Sequence, residues 1–100
     1  MTKDKILKNS ESVSQLLLAL ANEKRVQIIC HLLNGEESVG ALAEKVGLSQ
    51  SALSQHLSKL RAQELVITRR HGQVIYYSLK DERIRKLFKN LGTSYFSEAG

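Results

Sequence analysis

Residues 38 to 60, SVGALAEKVGLSQSALSQHLSKL, restrict the possible folds more than any other part of the chain. Val39, Leu42, Ala43 and Val46 recur at i, i+3, i+4 and i+7, the spacing of a short helix with one apolar face. Gly47 then ends it, because glycine takes the left-handed conformation of a helix terminus without the penalty a side chain would meet. Ser49 follows as the N-cap of a second helix. The pattern therefore predicts two short helices joined at a sharp corner.

The second of these helices has a narrow apolar stripe, Leu53, Leu57 and Leu60, bordered by Ala52 and His56. Its remaining surface is Gln50, Ser51, Ser54, Gln55 and Ser58, where an ordinary solvated face would carry Glu and Lys. Serine is a mediocre helix former, so this face gives up helix propensity. Hydroxyls and amides donate and accept hydrogen bonds, which suits base edges in the major groove of DNA, and a helix fits that groove.

The position of charge agrees. The net charge is +5, but residues 1 to 37 are neutral overall, while residues 38 to 80 carry six basic side chains against two acidic ones. A basic excess concentrated on the candidate reader is the footprint expected of phosphate contact. At 100 residues with 42% hydrophobic composition, one domain with a modest core is expected over residues 1–100. No run of about 18 apolar residues suggests a membrane span, and the early lysines break any signal-peptide pattern. A cytoplasmic protein is expected, and the single Cys30 excludes an internal disulfide framework.

Upstream, residues 1–9 are polar and read as a frayed arm, as do 97–100. Val13, Leu16, Leu17 and Leu20 predict a helix from Ser10 or Ser12, with Leu18 and Ala19 widening its apolar face. Asn22 and Glu23 open a second helix to about Leu33, closed by Asn34-Gly35. Val26, Ile28, Ile29, Leu32 and Leu33 make that helix apolar almost all round, the central post of the core. Downstream, Leu65–Arg70 and Gln73–Leu79 predict two strands joined at His71-Gly72, a basic hairpin. Asp81 caps a last helix with Ile84, Leu87, Phe88, Leu91 and Tyr95 on one face. The expected class is mainly α with a β-hairpin wing: five helices, with the hairpin between the fourth and fifth, as a winged helix-turn-helix. The apolar faces of the first and last helices exceed what this small domain needs, which predicts a homodimer through them.

Three stretches, LLALANEKRVQIICHLL, SVGALAEKVGLSQSALSQHLSKLRAQELV and RRHGQVIYYSL, resemble the ArsR/SmtB family of winged-helix transcriptional repressors, and most nearly its HlyU/BigR-like branch. The resemblance spans roughly residues 13 to 91 and implies a dimer on an imperfect palindrome, released by an inducer. Metal-sensing members carry a cysteine pair where this chain has Glu37-Ser38-Val39-Gly40-Ala41, and others use Asp and His on the last helix, where only Asp81 is matched. No metal site and no cofactor are therefore expected, since zinc needs about four ligands. Some members of the branch pair two cysteines; Cys30 matches the first position, but Phe96 stands at the second.

Individual side chains carry these expectations. Gln50, Ser51, Ser54 and Gln55 are expected to read bases, Lys59, Arg61, Arg69 and Arg70 to contact phosphate, and His71 and Gln73 to lie near DNA at the hairpin tip. Leu16, Leu17, Leu20, Leu87, Phe88, Leu91 and Tyr95 are expected at the dimer interface. Cys30 reads either as a small buried hydrophobe or as a reactive thiol serving redox or sulfur-species sensing. His56 either orients the second helix of the reader from a half-buried position or touches bases. Tyr76 and Tyr77 point to opposite sides of their strand. No Ser/His/Asp spacing, apolar carboxylate pair or glycine-rich phosphate loop is present, so an enzyme is not expected. Double-stranded DNA, a second copy of the chain and an unidentified small-molecule or thiol-reactive effector are the partners this reading implies.

Overall fold

In the computed structural model, which describes residues 2–96, four helices begin where a short polar side chain accepts an otherwise unpaired N–H group. Asn22 accepts from the Arg25 N–H at 3.2 Å, Ser38 from Ala41 at 3.1 Å, Ser49 from Ala52 at 3.1 Å and Asp81 from Arg83 at 2.9 Å. The elements run α1 (Thr2–Lys8), α2 (Ser10–Leu20), α3 (Glu23–Leu32), β1 (Glu37–Ser38), α4 (Val39–Val46), α5 (Gln50–Ala62), β2 (Val66–His71), β3 (Val74–Leu79) and α6 (Glu82–Asn90), then a π-helical turn at Leu91–Tyr95. The helix-turn-helix and hairpin expected from sequence are both present.

The structure corrects four details. Residues 2–8 form a helix, not a frayed arm; a helix so short is marginal alone, and Ile6 here lines a groove with Val13, Leu17 and Leu18 of α2. Met1 and residues 97–100 lie outside the described residues. A third strand, β1, pairs antiparallel with β3 through Glu37 with Tyr77 and Ser38 with Tyr76, giving the sheet order β1-β3-β2. Two residues are too few to show a period in sequence. The hairpin turn is Gly72-Gln73, one residue later than expected, because His71 still pairs with Val74. Gly72 has φ +63°, which a two-residue hairpin with glycine first requires. Finally, α3 is apolar on one side only: Ile28, Ile29 and Leu32 are buried, whereas Val26, Cys30 and His31 face solvent.

The core gathers one stripe from each element. Ile28, Ile29 and Leu32 meet Leu42 and Val46 of α4, Leu53, Leu57 and Leu60 of α5, and Val66, Leu79, Ile84 and Phe88. Leu20 and Phe88, expected at the dimer interface, belong to this core instead. On α6 and the turn that continues it, the four-residue spacing separates two stripes, so Ile84 and Phe88 point inward while Leu87 and Leu91 are exposed. Side chains of neighbouring elements also close helix ends: Lys24 donates to the Val46 carbonyl at 2.6 Å, and Arg85 to the Leu33 carbonyl. Cations there complement the negative end of the helix dipole.

Gly47 holds the corner of the helix-turn-helix at φ +70°, with its N–H on the Glu44 carbonyl at 3.2 Å and the Leu48 N–H on that of Ala43 at 3.0 Å. A β-carbon there costs about 1–2 kcal/mol. Gly47→Ala is accordingly expected to lower unfolding stability by that amount in urea melts, and an unchanged midpoint would show that the corner is not strained.

Candidate nucleic-acid interface

Because α5 buries Leu53, Leu57 and Leu60, the rest of its circumference is forced outward. Gln50, Ser51, Ser54, Gln55, Ser58, Lys59 and Arg61 are all exposed. Ser54, Gln55, Ser58, Lys59 and Ala62 line an open groove along it. The four residues expected to read bases thus share one accessible helix surface. Ser58 extends that surface by one turn from Ser54 and belongs with them, although its type and spacing already showed it on the polar face.

His56 sits half-buried at the edge of the leucine stripe, where its Nδ1 accepts from Arg25 Nε at 3.1 Å. Of its two expected settings it occupies the half-buried, hydrogen-bonded one, with the Nδ1 lone pair turned to Arg25. Partial burial, reinforced by the Arg25 charge, holds its pKa below the usual histidine value of 6.5.

The hairpin presents Arg70, His71 and Gln73 to solvent. Arg69 differs from its neighbour. It donates to Glu36 through Nε at 3.1 Å and Nη2 at 2.5 Å, and its guanidinium lies 4.6 Å from the centre of the Tyr76 ring. This pairing holds the Glu36 carboxyl below the usual carboxylate range and raises the Arg69 pKa. Arg69 therefore links the hairpin to the segment before β1 and does not stand unpaired. Lys59, Arg61 and Arg70 make no ion pair among the described residues. Tyr77 packs toward the core while Tyr76 faces out beneath Arg69, as strand alternation requires. Glu36 was not among the expected site residues; 33 positions separate it from Arg69, and no local pattern marks such a pair.

Cys30 is exposed, contrary to the buried expectation, because it falls on the outer side of α3. It borders a shallow cleft with His31, Asn34, Glu36, Glu37 and Lys45, and partial burial pushes its thiol pKa up. Among the described residues no three His, Cys, Asp or Glu side chains are grouped to hold a metal ion.

The His56 contact fixes a pH dependence. Its folded-state pKa is depressed, so its contribution to stability is complete above about pH 6.5 and is lost as pH falls toward the folded value, where the unfolded chain takes up the proton first. The carboxyls of Glu36, Glu64 and Asp81, also lowered, act below about pH 4.5, outside this window. Urea midpoints of the wild type are expected to fall between pH 7 and 5, and His56→Gln to flatten that fall; equal slopes in both proteins would remove His56 as the source.

A family model described as bacterial regulatory protein, arsR family, matches residues 22–68. The nodulation protein NolR of Rhizobium meliloti is 54% identical over 87 residues, covering 87% of this chain and 71% of that protein. The transcriptional activator HlyU of Vibrio cholerae is 44% identical over 95 residues, covering 95% and 88%. A homodimeric winged helix-turn-helix DNA-binding domain from Mycobacterium bovis superimposes with a TM-score of 0.83 at 31% identity, over 93% of this chain and 86% of that one. With relatives 54% and 44% identical matched over 87% and 95% of its length, the chain belongs to the arsR family of bacterial regulatory proteins.

Proposed function

We propose that the protein is a sequence-specific, double-stranded-DNA-binding transcriptional regulator that acts as a dimeric repressor in the cytoplasm and has no enzymatic activity. The observation that carries this reading is the exposed surface of α5, whose hydroxyl and amide groups lie where solvated charge would otherwise stand. In the major groove Gln50, Ser51, Ser54 and Gln55 meet base edges, and Lys59, Arg61 and Arg70 meet phosphate. Arg69 positions the hairpin through Glu36 and Tyr76. Repression is the action assigned, because a dimer seated on a promoter blocks polymerase. One relative is named an activator, so the position of the site relative to the promoter sets the sign of regulation.

The dimer is supported by apolar side chains that the protomer leaves uncovered. Leu17 and Leu18 on α2 are 57% and 67% exposed, and Tyr95 and Phe96 after α6 are 76% and 67% exposed. With Leu16, Leu87 and Leu91 they provide the face a second copy would bury. Two-fold symmetry then places half-sites about 10 base pairs apart. Release is assigned to an unidentified effector. The exposure of Cys30 favours a second reading, in which modification of this thiol loosens DNA binding; its raised pKa keeps the thiolate fraction low and weighs against fast chemistry.

Two measurements test the assignment. In binding assays on the preferred duplex, Gln55→Ala is expected to cost about 1–3 kcal/mol and relax sequence preference, whereas Arg70→Ala weakens all sequences alike and lowers the salt slope by about one unit. An unaltered site preference in Gln55→Ala would show that this face does not read bases. Light scattering is expected to give a dimer for the wild type and a poorly binding monomer for Leu91→Glu; a wild-type monomer at micromolar concentration refutes the assembly.

A further inference from the structure

Arg25 stands in the first turn of α3, yet its guanidinium serves two other helices. Its backbone N–H is held by the Asn22 cap at 3.2 Å, so the root of the side chain has a set position. From there Nη1 donates to the Ala19 carbonyl at 3.2 Å and Nε to His56 Nδ1 at 3.1 Å. Ala19 lies in the last turn of α2, among the carbonyls that a helix end leaves without an internal partner. One half-buried side chain thus ties the end of α2 to the middle of α5.

Those two helices carry the two surfaces on which recognition depends. α2 bears Leu17 and Leu18, assigned above to pairing of protomers, and α5 bears the polar face assigned to bases. Packing of the leucine stripe sets how deeply α5 sits and which side of it faces out, but apolar burial is non-directional and fixes no single atom-to-atom contact. A guanidinium donates in a fixed fork, so its two bonds set the position of His56 on α5 relative to the Ala19 carbonyl on α2. Base hydrogen bonds tolerate only a few tenths of an ångström. We propose that Arg25 is a positioning residue for DNA recognition: through His56 and Ala19 it sets the orientation of α5 relative to α2, and thereby the spacing between the two readers of the dimer. This rests on the dimeric DNA-binding reading above.

The probe is the duplex that the wild-type protein enriches most strongly from a random-sequence library, together with versions carrying one base pair more or fewer between half-sites. Affinities are measured for wild type, Arg25→Ala, Arg25→Lys, His56→Ala, His56→Gln and the double Ala variant, with urea midpoints alongside. Arg25→Ala and His56→Ala are each expected to weaken binding to the parent duplex by about 5- to 150-fold and to lose the preference for parent spacing. The double variant is expected to be no weaker than either single one. His56→Gln, whose amide oxygen still accepts, keeps the preference; Arg25→Lys, with a point charge in place of the fork, does not. A wild-type spacing preference in Arg25→Ala, or additive losses in the double variant, overturns the proposal. Should Arg25→Ala fail to fold, the His56 pair decides, since equal behaviour of its Ala and Gln variants also overturns it. A wild type that enriches no two-fold site overturns the dimeric reading and this proposal with it, whereas a two-fold site read with unchanged spacing by the variants overturns the proposal alone.

Discussion

The burial of three leucines on α5 is the interaction from which the rest of the structure follows. Leu53, Leu57 and Leu60 are almost completely enclosed by Ile28, Ile29 and Leu32 of α3 and by the apolar side of α4. Each contributes about 1.5–3 kcal/mol on burial. Serines at 51, 54 and 58 cost about 0.5 kcal/mol apiece in helix propensity relative to alanine. The stripe outweighs that loss several-fold, so the helix forms whatever occupies its outer face. That freedom is what allows the outer face to be chosen for hydrogen bonding. In a helix held by its own propensity, the same positions would be filled by alanine, glutamate and lysine.

A second constraint is the pair of corners that end α4 and α5. Both helices end in the same arrangement, a residue in left-handed conformation followed by an N–H that reaches back across the last turn. After α4 these are Gly47 and the Leu48 N–H; after α5 they are Glu64, at φ +56°, and the Leu65 N–H on the Leu60 carbonyl at 3.0 Å. Glutamate there bears about 1–2 kcal/mol of strain that glycine would not. The surroundings hold it in place. Leu60 and Leu65 are both buried, the Leu65 carbonyl accepts from the Lys80 N–H at 3.0 Å, and Glu64 itself pairs with Lys80. This second corner aims the hairpin relative to the reader, since β2 begins immediately after it.

The parts of this architecture that were legible in the sequence are those encoded by neighbours. Helical spacing of Val39, Leu42, Ala43 and Val46, the caps Asn22, Ser49 and Asp81, and the glycine at the hairpin turn each depend on a few adjacent residues. What escaped depends on contacts across the fold. β1 is two residues long and exists only because Tyr76 and Tyr77 lie beside it. Cys30 looked buried because the apolar count of α3 is high, but a helix has only one inward side, and position 30 falls opposite Ile28 and Ile29. Glu64 gave no warning, because nothing in glutamate's chemistry favours a left-handed residue. In the candidate site, the polar face of α5 was visible residue by residue. The ties of Arg25 to His56 and of Arg69 to Glu36 join positions more than thirty residues apart, beyond the reach of any local pattern.

The hairpin shows why a run of charge in sequence is a poor guide to charge in space. Arg69 and Arg70 are adjacent, but strand alternation turns them to opposite faces. Arg69 finds Glu36 and the Tyr76 ring; Arg70, beyond the part of its face that packs on the core, finds solvent. An exposed ion pair of this kind is worth at most about 1 kcal/mol, so its effect on stability is small. Its effect on conformation is larger, because a two-stranded ribbon projecting from a domain is otherwise marginal. Tying Arg69 to the segment before β1, and pairing β1 with β3, joins the hairpin to the start of α4 and so to the helix-turn-helix itself. The ordering entropy of the hairpin is then met during folding, and Arg70, which makes no ion pair among the described residues, is held toward solvent on strands that are already ordered.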